Sequence, residues 1–418
     1  MKFSVLCNGS SGGRLGLISM FSRNPELCFE TPLVCLATKT GSLPYLTNEV
    51  LEKVVSSSAI LQIDLPSVFD MAESVLEFGQ GLSKFVGLQR MFTYISINDS
   101  ATVLPPGYNQ ASGISLWKRS GRLVLGVKEH IKTIEALKPD IFEILADTDT
   151  YSPNGIADKR ASKAVDRSLN YLEKSIELIN ASEVLKDSPF FVHIAGGYNK
   201  KQREKSITAA RESNCSGYVL SGISPSGPPL EGFDFSTTKD VITETIEALK
   251  TPCKVNVFPG PLSPYEVLDL VEAGIDVFDT SLPFVATERG CAFIFCNRIA
   301  TSKHSQSRDT ICPPEGTPSL MLKDRSIKDN TSRGYEIDLN LQEFRDDVQP
   351  ISSKCECYTC RKYSRAYINH LLTVKELLGP ILLMMHNLHH YMKFFESIRH
   401  CLKEDCLSDL KTAVMNTI

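Results

Sequence analysis

Three cysteines lie close together in the C-terminal part of the chain, and a histidine follows them in a helical stretch. Thiolate sulfur and imidazole nitrogen are ligands that zinc prefers, whereas calcium and magnesium bind oxygen. A closed tetrahedral site needs four such ligands and leaves no position for water. We therefore expect one structural Zn²⁺ per chain, rather than unrelated surface thiols, with these ligands: Cys355, Cys357, Cys360 and His386.

Two other histidines near this cluster have to be weighed. His390 lies one helical turn beyond His386 and can share its helical face, so it is the alternative fourth ligand. His370 lies much closer to the cysteines in the chain and is expected on the surface of a helix.

The composition limits the function classes. The chain has 418 residues, 42% of them hydrophobic, and a net charge of -4. It is therefore no general electrostatic binder of nucleic acid, and any such contact must be a local patch. The 13 cysteines are odd in number and scattered, which indicates free thiols in a reducing, cytoplasmic compartment.

No segment predicts a membrane span or a signal peptide. The first apolar run stops at Asn8, which is too short for a signal peptide. The apolar stretch 377–385 contains Gly379 and Pro380 and is too short to cross a bilayer.

Apolar runs alternate with amphipathic helical patterns between residues 31 and 295. This alternation is typical of a parallel sheet covered by helices. About eight units fit an α/β fold, the (β/α)8 TIM barrel, better than an open sheet. The strands are predicted at 33–37, 59–63, 141–145, 190–194, 218–220, 254–258 and 276–278. The helices are predicted at 48–56, 67–85, 127–137, 158–179, 200–212, 238–249 and 264–273.

The chain divides into three parts on this interpretation. Residues 1–300 form the barrel, and residues 301–349 are a loop or partly disordered insertion because they are polar and lack periodicity. Residues 350–418 form a zinc-binding helical subdomain with helices at 364–378, 381–398 and 407–416. Turns rich in glycine and aspartate follow the strands and should meet at one rim of the barrel.

Several residue strings occur in an order that resembles the tRNA-guanine transglycosylase family. That family exchanges guanine for queuine or a precursor at the anticodon wobble position. The resemblance covers nearly the whole chain, and four strings in one order make it specific. They are 13–16 (GRLG) with 39–42 (KTGS), 166–169 (DRSL), 274–279 (GIDVFD) with 287–290 (TERG), and the cysteine–histidine set.

The resemblance implies roles for single residues. Its zinc motif favours His386 over His390. Asp279 stands where catalytic members carry the nucleophile that attacks ribose C1′, and Asp64 stands near their general acid/base. The alternative for Asp279 is an aspartate that caps the following turn or pairs with Arg289, and we expect that structural or vestigial role.

The chain also departs from the catalytic pattern. Leu65 and Pro66 follow Asp64 where catalytic members carry Ser-Gly-Gly, and proline removes a backbone donor. Ala195 replaces a glutamine that reads the base. The stretches 37–47, 285–292 and 381–387 resemble the non-catalytic eukaryotic branch of the family, whose members are accessory subunits.

Two further sets of residues have a functional and a plain structural interpretation. Asp147 and Asp149 could mark a purine pocket, but such a turn more often caps a loop. The basic run 199–205 could bind RNA phosphates, although a solvated helix face is commoner.

The resemblance predicts a non-catalytic accessory subunit that forms a heterodimer with a catalytic homologue and meets tRNA through the complex. A weaker homodimer and peripheral association with the mitochondrial outer membrane are also implied. The alternatives are an active transglycosylase that uses Asp279 as nucleophile with Asp64 as proton shuttle, and a zinc-containing RNA-binding module. We expect the partner to bind the apolar face of the last long helix, at residues 381–385 with Leu388, Tyr391, Phe394 and Phe395.

Overall fold

The computed structural model describes residues 1–19, 21, 25–55, 59–151, 158–225, 227, 235–249, 253–297 and 334–417. Its strands are β1 (Lys2–Asn8), β2 (Arg14–Ser19), β3 (Phe29–Thr31), β4 (Leu33–Thr38), β5 (Ile60–Asp64), β6 (Phe92–Ser96), β7 (Ile114–Lys118), β8 (Gly121–Leu125), β9 (Ile141–Glu143), β10 (Phe190–Ile194), β11 (Gly217–Leu220), β12 (Val255–Val257), β13 (Val277–Asp279), β14 (Cys291–Phe293) and β15 (Glu336–Asp338).

The α-helices are α1 (Asn48–Val54), α2 (Leu65–Val68), α3 (Ala72–Phe78), α4 (Leu82–Phe85), α5 (Val127–Leu137), α6 (Asp158–Ala181), α7 (Lys200–Glu212), α8 (Phe235–Leu249), α9 (Pro264–Glu272), α10 (Ser281–Glu288), α11 (Tyr358–Lys362), α12 (Arg365–Thr373), α13 (Leu378–Glu404) and α14 (Leu407–Met415). Two 3₁₀ helices cover Phe69–Met71 and Gln342–Phe344.

Eight parallel strands close into a barrel, which confirms the predicted fold class. Going round the barrel, their order is β4, β5, β6, β9, β10, β11, β12 and β13, and β13 pairs with β4 to close it. Helices cover the outside. The closed, helix-covered sheet buries its strands on both faces, so the strands read as apolar runs in the sequence.

The sequence identified seven of the barrel strands and missed β6. All five residues of β6 are buried, yet Thr93 and Ser96 interrupt its apolar character. A strand that carries polar side chains into the barrel has no continuous apolar run, so hydrophobic pattern alone does not find it. The predicted helix 67–85 is also divided, into α2, a 3₁₀ turn, α3 and α4.

Part of the stretch expected as a loop has regular structure. Residues 298–333 lie outside the described residues, but β15 follows them and pairs antiparallel with β14. Leu339 just after β15 is fully buried. Residues 334–349 therefore join the barrel end to the C-terminal helices.

The C-terminal helix α13 packs on the barrel. The prediction that its apolar face binds a partner is therefore wrong, because that face is buried within the monomer. Tyr391, Phe394 and Phe395 are at most 1% exposed. The ring of Phe395 lies 5.4 Å from that of Phe278 in β13. The helix is longer than predicted, and its aromatic residues are core residues of the monomer.

The end of α13 is bound to the beginning of the chain. The turn between β1 and β2 donates a hydrogen bond from the Ser10 backbone N–H to Asp405 Oδ1, 2.8 Å long. Arg399 donates to the carbonyl oxygen of Pro32 at 2.8 Å. We call this set of contacts the terminal clasp.

Candidate metal centre and barrel mouth

The cysteine cluster lies at the start of a short helix that faces α13. Cys357 is the N-cap of α11, and its Sγ accepts a hydrogen bond from the backbone N–H of Cys360 at 3.3 Å. Thr359 fixes α11 against α13 through a 2.8 Å hydrogen bond from its hydroxyl to the Leu382 carbonyl. The cap thus fixes the sulfur atom of Cys357, and Thr359 holds α11 against the helix that carries His386.

The four predicted ligands come together in one group. Their ligand atoms all lie within 4.8 Å of one another. The Nδ1 of His386 lies 3.7, 3.5 and 3.3 Å from the sulfur atoms of Cys355, Cys357 and Cys360. Zinc bond lengths of about 2.3 Å to sulfur and about 2.0–2.1 Å to nitrogen, at tetrahedral angles, put S and N roughly 3.5 Å apart. The residues therefore fit a metal ion such as zinc.

The second nitrogen of His386 orients the ring so that Nδ1 can bind a metal. Nε2 lies 2.8 Å from the carbonyl oxygen of Phe293 in β14, and this oxygen can only accept a hydrogen bond. Nε2 must then carry the proton, which leaves the lone pair of Nδ1 free for a metal. Metal-bound histidines are usually oriented by a partner of this kind.

The other two histidines lie outside this group. His390 is buried, and its Nε2 lies 2.9 Å from the carbonyl oxygen of Phe295. Burial lowers the pKa of His390 below its ordinary value. His370 is exposed on α12, as expected.

A cavity of about 330 Å³ opens where the barrel strands end. Its floor is polar, and its wall is formed by the segments that follow the strands. Among the described residues that line it, three are acidic and none is lysine or arginine. The acidic ones are Asp99, Glu143 and Asp149.

Asp279 is buried beside this cavity, and its oxygens are occupied by hydrogen bonds. Oδ1 accepts from the Ser281 backbone N–H at 2.9 Å and from the Ser281 hydroxyl. Oδ2 accepts from the Gly260 N–H at 3.1 Å. Burial raises its pKa. Arg289 pairs with Glu336 instead, at 2.8 Å.

Asp64 is likewise a capping residue. It is the N-cap of α2, and its Oδ1 accepts from the Ser67 backbone N–H at 2.9 Å. Pro66 lies in the first turn of this helix, where the missing N–H of proline costs nothing. Burial first, and then the charge of Asp99, raises the pKa of Asp64 to about 6. Its Oδ2 is buried without a hydrogen-bond partner among the described residues.

The two carboxylates considered for a purine pocket have different surroundings. Asp147 is buried and accepts from Arg167 at 2.9 Å and from Asn109 at 2.8 Å. Asp149 lines the cavity and pairs with Arg160 at 2.6 Å. Only Asp149 is therefore placed to meet a molecule in the cavity.

A polar row in the floor of the cavity was not expected from the sequence. Ser221 Oγ lies 2.7 Å from His193 Nδ1. His193 Nε2 lies 3.2 Å from Glu143 Oε2, but the two are not aligned for a hydrogen bond. Glu143 also accepts from Tyr94 and from the Ile97 N–H. The three residues of the row come from separate strands or strand ends, so no spacing in the sequence joins them.

The basic run on α7 is partly structural. Arg203 is buried, and it donates to the Thr245 hydroxyl at 2.7 Å and to the Gly197 carbonyl at 3.1 Å. Lys200 is exposed and pairs with Glu244 at 3.1 Å. Ala195, which takes the place of the base-reading glutamine, is fully buried.

The chain is similar to known proteins over nearly its whole length. A family model described as queuine tRNA-ribosyltransferase matches residues 7–418. The chain is 33% identical to a Gallus gallus protein over 98% of this chain and 96% of that protein. It is 35% identical to a Xenopus laevis protein over 97% and 96% of the two chains. It is 32% identical to a Homo sapiens protein over 99% of each. All three relatives are named queuine tRNA-ribosyltransferase accessory subunit 2.

Proposed function

Because the chain belongs to the queuine tRNA-ribosyltransferase family, we propose that it is a non-catalytic accessory subunit. It pairs with a catalytic subunit of the family, and the pair exchanges guanine for queuine at the wobble position of tRNA. The relatives' names support the accessory role. The observation that carries the proposal is the state of Asp279, whose two oxygens are held by hydrogen bonds from its own barrel end.

The surroundings of Asp279 and Asp64, which stand near the catalytic carboxylates of the family, support the proposal that this chain does not catalyse base exchange. A nucleophilic carboxylate needs a free oxygen lone pair aimed at the reacting carbon, and a second carboxyl to move protons. Asp279 spends its oxygens on Ser281 and Gly260, and Asp64 caps α2. Asp64 Oδ2 has no hydrogen-bond partner among the described residues, but it is buried, and neither carboxylate is among the residues that line the cavity.

Zinc is the metal we propose for the cysteine cluster, one ion per chain, held by Cys355, Cys357, Cys360 and His386. Three thiolates and one imidazole are a donor set that selects zinc over calcium and magnesium. The ion would link α11 to α13 and supply structure only, since all four positions are filled by protein.

We propose that the catalytic partner binds an exposed face of the helical subdomain, the tyrosine row. Tyr363 lies between the two other members, with ring centroids 5.9 Å from Tyr358 and 5.6 Å from Tyr367. Tyr358 and Tyr367 are 45% and 41% exposed. Leu377 nearby in the chain is 64% exposed. Exposed aromatic residues of this kind are enriched at protein interfaces, and a weaker homodimer would use the same face.

The location in the cell is also part of the proposal. The cysteines that the structure describes are all free, which fits a reducing, cytoplasmic compartment. Among the described residues, none of the helices has the length and apolar character needed to cross a bilayer. Peripheral association with the mitochondrial outer membrane rests on the family resemblance alone, and cell fractionation of the full chain tests it.

A base-exchange assay tests the function. Labelled guanine and tRNA are incubated with this chain alone, with a catalytic homologue alone, and with both. We expect no exchange by this chain alone and more exchange by the mixture than by the homologue. Turnover by the isolated chain that is abolished by Asp279→Asn would establish an active transglycosylase instead.

A further inference from the structure

A β-hairpin beside the barrel mouth has an unusual charge for this chain. β7 and β8 form it, between the barrel strand β6 and helix α5. Residues 100–126, which include the hairpin, contain Lys118, Arg119 and Arg122 and no acidic residue. The whole chain has a net charge of -4, so this segment is a local basic patch.

Two aromatic rings accompany these charges. Tyr108 is 47% exposed, and its ring lies 5.3 Å from that of Trp117 at an interplanar angle of 87°. The guanidinium carbon of Arg122 lies 5.2 Å from the Tyr108 ring centroid. Trp117 is half-buried and Tyr108 is exposed. Accessible aromatic rings beside a guanidinium are an arrangement on which unpaired bases stack in nucleic-acid-binding proteins.

The hairpin is held in place by the 3₁₀ helix Phe69–Met71 and by the loop that precedes β7. Lys118 pairs with Asp70 at 2.5 Å, and the Ser115 hydroxyl donates to the Tyr108 carbonyl at 2.7 Å. Arg119 is exposed at the turn and has no ion pair among the described residues. One arginine is therefore available for a ligand, and a second stacks on the aromatic ring.

The mouth next to the hairpin shares the two rings Tyr108 and Trp117 with it but not its basic side chains. Its described lining contains three carboxylates and no lysine or arginine. Asp99 pairs with Lys39 and Asp149 with Arg160, so the described lining offers a phosphate group no free lysine or arginine, whereas the hairpin offers the exposed Arg119.

We propose that this hairpin, together with Tyr108, is an RNA-binding surface for an unpaired segment. Bases stack on Tyr108 and Trp117, while Arg119 and Arg122 neutralise the phosphates. The inference rests on the proposed function, in which tRNA is the substrate of the complex, and it assigns to this chain a contact with an RNA loop. An unpaired segment is favoured over a duplex because a duplex hides the base faces that the rings would meet.

Fluorescence anisotropy tests the proposal with two probes: a labelled RNA stem with an unpaired loop, and a fully paired RNA duplex of equal length. The chain should bind the loop RNA more tightly than the duplex. The double variant Arg119→Ala, Arg122→Ala should weaken loop binding about tenfold or more and reduce the salt slope by about one to two, one for each phosphate contact. Arg211→Ala, which removes an exposed charge on α7, is the control and should bind as the unaltered chain does.

The aromatic contribution has its own readout. Trp117 is the single tryptophan of the chain, so its emission reports on stacking directly. Loop RNA should quench this emission. Tyr108→Leu should weaken loop binding about tenfold without changing the salt slope, since it removes no charge. If the double variant does not fold, the single variant Arg119→Ala replaces it, because Arg119 is exposed and its removal should not disturb the fold.

Three results would overturn the proposal. The first is equal affinity for the duplex and the loop RNA. The second is equal affinity of the hairpin variants and the Arg211→Ala control for the loop RNA. The third is displacement of the RNA by poly-glutamate at matched charge, which would indicate an acidic protein partner. Co-purification with the catalytic homologue is measured on the same variants. If the pair assembles and exchanges base while the hairpin variants bind RNA normally, this inference fails and the accessory function stands. If no pair forms, the accessory function itself fails.

Discussion

Asp64 is a buried carboxylate at the barrel rim that caps helix α2, and its negative charge lowers the stability of the folded protein. Its folded-state pKa of about 6 lies above the ordinary value of 3.8. The folded protein therefore holds a proton that the unfolded chain has released, and stability falls as the pH rises from about 4 to about 6. Above that interval the buried charge remains a cost.

Replacing Asp64 by asparagine should recover that cost. The asparagine side chain keeps an oxygen that can accept from the Ser67 N–H, but it carries no charge. We expect Asp64→Asn to raise the free energy of unfolding at pH 7.5 by about 1 to 3 kcal/mol, with little change near pH 4. Urea unfolding at both pH values measures this. A loss of stability at pH 7.5 would mean that the ionised carboxylate makes a favourable contact.

Asp279 should prove dispensable for base exchange by the complex. Since its oxygens bind Ser281 and Gly260, we expect Asp279→Asn in this chain to leave the exchange rate of the mixed complex unchanged. The measurement is labelled guanine release, with the thermal midpoint of the variant as a folding control. A well-folded variant that stops exchange would place Asp279 in the reaction.

At the scale of elements, the metal centre joins a five-residue helix to the longest helix that the structure describes. An α11 of this length has little stability of its own. We expect Cys357→Ala to lose the metal and lower the thermal midpoint, because structural zinc contributes to folding directly. Metal analysis and thermal unfolding test this. Cys253→Ala, at an exposed cysteine, is the matched control and should keep its metal.

The packing of α13 on the barrel leads to a second prediction at the scale of elements. Phe394 is fully buried among aromatic rings, so Phe394→Ala should cost about 3 to 5 kcal/mol of stability. Leu377→Ala, at a 64% exposed position, should change stability by less than about 0.5 kcal/mol. Denaturant unfolding of the two variants separates core from surface. A small effect at Phe394 would mean that the helix packs elsewhere in solution.

Some elements could be predicted from the sequence and others could not, for physical reasons. The barrel strands are apolar runs because both faces are buried, and three of the four residues of the candidate metal site lie within six positions of the chain. The pattern failed for β6, where Thr93 and Ser96 are buried. It also failed for the apolar stripe of α13, since a stripe records that a face is buried and not what buries it. The row of Ser221, His193 and Glu143 exists only after the barrel closes.

At the scale of the whole molecule, binding of the catalytic partner should depend on the tyrosine row. Tyr367 is 41% exposed and stacks on Tyr363 with an interplanar angle of 13°. We expect Tyr367→Glu to weaken co-purification with the catalytic homologue while the monomer stays folded, because a charge in an interface core is costly. Asp409→Lys, at an exposed position of α14, is a charge-changing control. Full assembly by Tyr367→Glu would place the interface elsewhere.

The terminal clasp has a consequence for the synthesis of the protein. Ser10 and its partner Asp405 are 395 residues apart in the chain, so Ser10 is synthesised long before Asp405. Domains generally start to fold during translation from the N-terminal end. Here the hairpin of β1 and β2 is made long before α13, the helix that holds it. We therefore expect this hairpin to find its partner only after α13 has been synthesised, and a nascent chain stalled before α13 to depend on chaperones until then.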